Sequence, residues 1–469
     1  MPASLPPETF TLFENFGHSL RTPSYRFEAT EVGQIGEVFR LAERNGLTVT
    51  LRGAGRSYND ATLNGGGIVL DLRQMKRILE WDAEAGIIRA EPGVTLQQLW
   101  QHVLPDGWWP PVVSGTMFTT LGGCLGMNIH GKNNFKMGPF GEHVLEFTAL
   151  LPGGAEVTCS PKRNRDLFYA MISGLGMLGA FTSITLEMKR VHSGLLAVHA
   201  WNAPSLESGL RDLIDGAPRN DYIVGWVDCT ARGKSLGRGQ YHSADYLPEG
   251  VDPNPAKTLQ VDYQTLPSTF FGVLPKSALH YFMRPFMNDL GVWAVNTAKY
   301  GIGRNHTFHQ SHAAFHFLLD YVPDWERAYG HGGLIQYQSF LPKETALDAW
   351  SEMLKHSHKH GMPAFLGVSK RHRPDQFLLS HAVDGFSLAM DFMVTASNRP
   401  ELARMLEDFD RIVLAAGGRF YFAKNSETRR ETARCFLGEE TVKRFRALKK
   451  RCDPKSILES DLYRRVFGG

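Results

Sequence analysis

The sequence predicts an α+β protein of two units, and three observations carry that reading. A chain of 469 residues exceeds one ordinary hydrophobic core, so two domains are expected. Short strands, helices and glycine turns alternate briskly through the first part of the chain. The middle then grows richer in aromatic residues and histidine, and the tail returns to the earlier style.

The elements follow in order. "EVGQIGEVFRLAERNG" sets Ile35, Val38, Phe39 and Leu41 at helical spacing and stops at Asn-Gly. "LTVTLR" is a β-branched strand running into the loop "LRGAGRSYND", and "GGGIVLDL" beyond the loop is another strand. "RILEWDAEAGIIRAEPG" reads as a hairpin, "TLQQLWQHVLPDG" as a helix capped by Thr95, and "VLEFTALLPGGAEVTCS" as a second hairpin. "DLFYAMISGLGMLGAFTSITLEMK" is a short helix, a glycine turn and a strand. Further on, "LIQYQSFLP" and "FSLAMDFMV" read as strands and "KETALDAWSEMLKHSHKHG" as an amphipathic helix. "RPELARMLEDFDRIVLAAGG" is a helix with Pro400 near its start, followed by the strand "RFYFAK".

Three glycine-rich segments precede residue 180: residues 51–60, "SGTMFTTLGGCLGMNIHGKN" and "SGLGMLGA". The first is not a Rossmann fingerprint. That motif needs a helix after the glycine turn, and here a strand follows. Small residues let backbone N–H groups approach a ligand closely. Three such loops in one unit suit a long cofactor that carries a diphosphate.

Together, "RGAGRSY", "SGT…TLGG…NIHGKN", "DLFYAMISGLGMLG" and the closing "KKRCDPKSIL" resemble the vanillyl-alcohol-oxidase-type (PCMH-type) flavoproteins. Within them the likeness is to the decaprenylphosphoryl-ribose 2′-oxidase branch, with "IHGKN", "AYG…QYQ" and "AKNS" as its most specific pieces. It implies a two-subdomain PCMH-type FAD-binding domain built from residues 1–193 and 418–469. A substrate domain of antiparallel sheet and helices, residues 194–417, is inserted between them.

The resemblance assigns the FAD diphosphate to the backbone of Gly53, Ala54, Gly55, Arg56, Ser57 and Tyr58. Gly115, Thr120, Leu121, Gly122, Gly123, Met127, Asn128, Ile129 and His130 would line the rest of the cofactor, with Phe181 and Tyr421 beside them. Many members attach FAD covalently through a histidine of the first loop. Arg56 holds that place here, so non-covalent FAD is expected.

On a strand Gln336 and Gln338 face one side, where two amides suit sugar hydroxyls. Lys370 in "GVSKRH" matches a basic residue of the family site and suits a phosphate, whereas Arg371, His372 and Arg373 read as solvated surface. Lys424 ends a buried-looking strand, where a lysine must pair or shift its pKa. The family places its essential lysine there. Lys424 is therefore the expected catalytic group, with His130 and Tyr58 near the flavin ring. Ala389 stands where mycobacterial members carry a cysteine, Ser387 replaces an asparagine and His316 a tyrosine. These three bear on which substrate is accepted.

The implied activity is hydride removal from a secondary alcohol of a sugar to flavin N5. The favoured substrate is a polyprenyl-phosphate-linked pentose oxidised at its 2′ carbon, with a short-chain reductase as partner for the keto product. A soluble lactone or alditol oxidase using O₂ is the alternative within enzymes. A flavin-binding module without catalysis is the alternative outside them.

Bulk properties narrow the field further. A formal charge of +3 is too small for a nucleic-acid surface. Five scattered cysteines without C-x-x-C spacing suggest a reducing compartment. The start shows no secretory signal pattern, and no run reaches the roughly 18 apolar residues of a membrane span. A cytoplasmic location is expected, with peripheral contact at the inner membrane for a lipid-linked substrate. The aromatic stretch of residues 268–295 is the candidate contact. "HTFHQSHAAFH" sets His306, His309, His312 and His316 at near-helical spacing, and "HSHKH" adds three more histidines. Neither offers an H-E-x-x-H pattern, so they read as polar or substrate-facing histidines and no metal is expected.

Overall fold

The computed structural model describes residues 5–267, 269–270, 274–303 and 305–468. Three sheets of four or more strands organise these residues. The first orders Phe10–Glu14, Arg21–Glu28, Ile68–Asp71 and Val49–Arg52, and the last three run parallel. Helix Val32–Asn45 covers it, because Ile35, Val38, Phe39 and Ala42 recur on one buried face. Gly46 ends that helix at φ 64°, a left-handed angle glycine adopts at low cost.

Val49–Arg52 and Ile68–Asp71 are parallel neighbours, so their connection must travel back along the sheet. Residues 53–67 make that return with no helix, as the strand–loop–strand reading requires. The C-terminal tail closes on the same sheet. Val49 N donates to Ile457 O at 2.7 Å, and Glu459 N to Val49 O at 3.0 Å. Buried Lys449 supports this join by pairing with Asp453 and donating to Leu458 O at 2.5 Å.

The second sheet is antiparallel, in the order Ile78–Asp82, Ile87–Ala90, Ala180–Glu187, Val144–Leu150 and Glu156–Cys159. Helix Leu96–Val103 shares one hydrophobic core with it through Leu96, Leu99, Trp100 and Val103. It begins with a full capping box between Thr95 and Gln98, a cap worth about 1 kcal/mol.

The third sheet has eight antiparallel strands. Their order is His306–Ser311, Leu195–Ala203, Gly239–Tyr246, Tyr222–Val227, Leu366–His372, Gly385–Met393, Leu334–Pro342 and Arg419–Phe420. Helices Ala346–Lys359 and Arg399–Ala415 close its back. Trp350 Nε1 donates to Ser339 Oγ at 2.9 Å, and Tyr337 OH to Asp410 at 2.9 Å. With side chains alternating, Gln336, Gln338 and Phe340 then face the front.

Two sequence expectations change. "RFYFAK" is a strand only over Arg419–Phe420; residues 421–425 form turns, because the carbonyls of Phe422 and Ala423 are taken by Asn59 and Tyr58. The four histidines of "HTFHQSHAAFH" do not share a helix: His306–Ser311 is a strand paired with Leu195–Ala203, and only His312–His316 is helical. Among the described residues no helix is long and apolar enough to cross a membrane.

Candidate active site

A cavity of about 500 Å³ lies where the first and third sheets approach each other, a size typical of cofactor and ligand sites. Its walls differ in kind. One is the glycine loop of residues 53–58 with residues 113–130; the other is the front of the eight-stranded sheet.

The loop wall is built for a ligand that accepts hydrogen bonds. Among the described residues, no acceptor pairs with the backbone N–H of residues 53–57. Buried or half-buried N–H groups are rarely left so, and a run of them forms an anion-binding concavity. The loop's shape is fixed from outside. Tyr58 N donates to Ala423 O at 2.9 Å, Asn59 binds Phe422 O, and Asn15 Nδ2 donates to Tyr58 O at 2.6 Å. A Cβ on Gly53 would sit 2.1 Å from Thr120 Oγ1, and Gly55 holds φ 65°. Arg56 lies over the rings of Phe16 and Phe118, at 5.0 and 5.4 Å. It is half-buried rather than sealed in the core.

The sheet wall presents side chains. Gln336 and Asp391 are cross-strand partners, and Gln336 Nε2 donates to Asp391 Oδ1 at 2.5 Å. Gln338 stands opposite Ala389, with its amide 3.2 Å from His130 Nε2. Lys424 Nζ lies 3.8 Å from the centre of the Tyr58 ring, a cation–π contact inside the protein. Lys132 donates to the carbonyls of Phe315 and His316, the latter at 3.0 Å.

Burial sets the protonation of these groups. Lys370 is pushed down to about 8 by desolvation. Desolvation also lowers Lys424 far below an ordinary lysine, against the pull of the Asp391 carboxylate and with help from Lys370. Asp391 is raised by the same burial, opposed by its bond from Gln336 and by Lys424. His130 is held well below its usual value, first by burial and then by Lys370, so its imidazole is neutral. Desolvation likewise lowers Lys132, which also feels the charge of Lys370.

Most expected site residues meet here. Gly53, Ala54, Gly55, Arg56, Ser57, Tyr58, Gly115, Thr120, Gly122, Gly123, Met127, Ile129, His130, Phe181 and Tyr421 line the cavity. So do Gln336, Gln338, Lys370, His316, Ala389 and Lys424. Three stand outside the lining. Leu121 is fully buried in the core, and Asn128 turns its Oδ1 to Gly141 N at 2.9 Å. Ser387 shares the front face of its strand but is capped by His372, 2.8 Å from its hydroxyl. His372 is itself fully buried, which corrects its reading as surface. Lys132 and Asp391 were missed. Lys132 sat in view within "IHGKN", and Asp391 is two residues beyond Ala389 on the same strand face.

The His312 and His316 rings both stack on Trp109, at 4.8 and 5.5 Å, and His312 Nε2 bonds Ser193 O at 3.0 Å.

Residues 23–160 match the FAD binding domain family. The chain is 32% identical over 440 residues to decaprenylphosphoryl-β-D-ribose oxidase of Mycolicibacterium smegmatis, covering 92% of each chain. It is 29% identical over 383 residues to an uncharacterized protein of Streptomyces coelicolor, covering 80% of this chain and all of that one. L-Gulonolactone oxidase of Mus musculus matches over 166 residues at 28%, only 35% of this chain. The unpaired N–H run and close-packed glycines of the loop wall fit FAD.

Proposed function

This chain belongs to the FAD-dependent oxidoreductases with a PCMH-type FAD-binding domain, and from that premise we propose that it oxidises a sugar's secondary alcohol. The proposed substrate is a polyprenyl-phosphate-linked pentose, oxidised at its 2′-hydroxyl to the ketone. The observation that carries this reading is the gathering of three lysines, 132, 370 and 424, each shifted down by desolvation, with Gln336 and Gln338 around one cavity.

Residues 53–57 would hold the FAD diphosphate without a covalent bond, and the flavin would supply the two-electron acceptor. The chain's own residues handle the rest. Gln336 and Gln338 are prebonded to Asp391 and His130, so their amides are fixed before a sugar arrives. Lys370 carries charge near neutral pH and suits the substrate phosphate as a point charge. Lys424, lowered to about 7 by burial, accepts the hydroxyl proton in its neutral form as the hydride leaves the carbon that bears the hydroxyl. Tyr58 holds the Lys424 ammonium afterwards through its ring face. Neutral His130 donates or accepts a hydrogen bond without adding charge.

A lipid-linked substrate also needs an apolar approach. Tyr281, Phe282, Phe286, Leu290, Trp293 and Ile302 are each more than half exposed, and helix Leu279–Met283 packs on Trp325–Tyr329, whose first residues line the cavity. This surface is proposed to rest peripherally on a membrane at its cytoplasmic face. Of the candidate stretch 268–295, Ser268 and residues 271–273 lie outside the described residues. The ketone product suits a short-chain reductase that returns hydride to the other face.

Turnover across a substrate panel tests the reading. A polyprenyl-phosphoryl ribose should exceed free pentoses, alditols and aldonolactones in kcat/KM by on the order of 10³, since phosphate and lipid contacts both contribute. Fast turnover of free alditols or lactones with O₂, and none of the lipid-linked sugar, would replace it with the oxidase alternative.

A further inference from the structure

Away from the cavity, on the back of the eight-stranded sheet, we infer that His356, His360 and Asp408 form a binding site for a divalent transition-metal ion of the zinc class. His356 and His360 are four residues apart at the end of helix Ala346–Lys359, so their rings sit one turn apart on one face. Asp408 comes from the packed neighbour helix Arg399–Ala415. Each of the three offers a ligand atom, and all lie within 4.8 Å of one another.

The contacts resemble a metal site with a proton in the metal's place. His356 Nε2 is 2.8 Å from Asp408 Oδ2, and bonds to zinc of about 2.0–2.2 Å would open that gap only slightly. His360 Nδ1 is held by Glu401 Oε1 at 2.6 Å, leaving Nε2 as its free ring nitrogen. A carboxylate on the far nitrogen is what orients metal-ligating histidines and raises their basicity. The two rings stand 4.5 Å apart between centres. Arg411 pairs with Asp408 through Oδ1, so Oδ2 keeps its place beside His356.

Two imidazoles and one carboxylate favour Zn²⁺, Co²⁺, Ni²⁺ or Cu²⁺ over the oxygen-seeking Mg²⁺ and Ca²⁺. The ligand side chains are about a quarter exposed, 25%, 23% and 28%, so water completes the sphere and the ion exchanges with solvent. None of these residues lines the cavity. The two helices they join bond Ser339 and Tyr337, on the back of the strand that carries Gln336 and Gln338. A bound ion would therefore clamp the layer behind the substrate wall, whatever substrate that wall accepts.

The test is calorimetric titration of the chelator-treated, FAD-loaded protein with Zn²⁺, paired with thermal melts. One ion per chain should bind and Tm should rise with Zn²⁺ concentration. His356→Gln and Asp408→Asn should each weaken binding at least about tenfold, and Glu401→Gln should do so by about tenfold through His360. His309→Gln is the control and should leave binding unchanged. His356→Gln and Asp408→Asn lie on different helices, and retained flavin absorbance reports that each is folded. No saturable binding up to millimolar Zn²⁺, or equal binding by both variants, would overturn the site.

Discussion

The two walls of the cavity hold their ligands by different means. The loop wall works with main-chain N–H groups, which need close approach and leave no room for a side chain at Gly53 or, with its left-handed φ, at Gly55. The sheet wall works with side chains whose identities and protonation decide the outcome. The contrast teaches that cofactor binding here is a property of backbone shape, while substrate choice and proton transfer belong to a few buried residues. Changes to one wall should therefore leave the other's task intact.

Lys424→Ala breaks the sheet wall at its centre. Substrate reduction of the flavin should slow by on the order of 10³, within the usual range for losing a general base, while flavin content stays at one per chain. Gly53→Val attacks the other wall. Its side chain collides with Thr120 and displaces the loop, so FAD affinity should fall by on the order of 10², read by flavin release on gel filtration.

Asp391→Asn is subtler. The carboxylate raises the pKa of Lys424, so its removal lowers that pKa, and the neutral amine persists to lower pH. The acid limb of kcat/KM should move to lower pH, with a maximum reduced about tenfold because Gln336 loses a charged partner. Lys370 sharpens the comparison through pH alone. It is charged below about 8 and neutral above, so KM for a phosphorylated substrate should rise as pH climbs through 8. FAD affinity should not follow. Ala389→Cys should change the flavin-reduction rate by no more than about twofold, since its methyl only fills space beside Gln338 and hydride transfer needs no thiol.

The loop wall was legible in the sequence because local signals write it: "LTVTLR", a glycine loop and "GGGIVLDL" exclude the Rossmann order without any long-range knowledge. Gln336 and Gln338 were legible for a similar reason, since a two-residue period puts both amides on one face. What stayed hidden depends on register between distant strands. Asp391 is set opposite Gln336, and Phe340 opposite Ser387, only when Leu334–Pro342 pairs with Gly385–Met393. Nothing within "FSLAMDF" shows which of its residues reaches the cavity and which is capped by His372. The end of "RFYFAK" is not a strand because carbonyls that look free in sequence are claimed by a loop 363 residues earlier, where Asn59 binds Phe422 O. His356 and Asp408 meet for the same reason, across two helices.

The most direct test of the account is anaerobic stopped-flow mixing of the FAD-loaded enzyme with a polyprenyl-phosphoryl ribose. Rapid bleaching of the flavin band is expected in the native protein and a rate lower by on the order of 10³ in Lys424→Ala, with spectra of the oxidised forms unchanged. Equal bleaching rates in the two proteins would contradict the role given to Lys424. A native flavin left unreduced by this substrate but bleached by a free alditol would contradict the substrate.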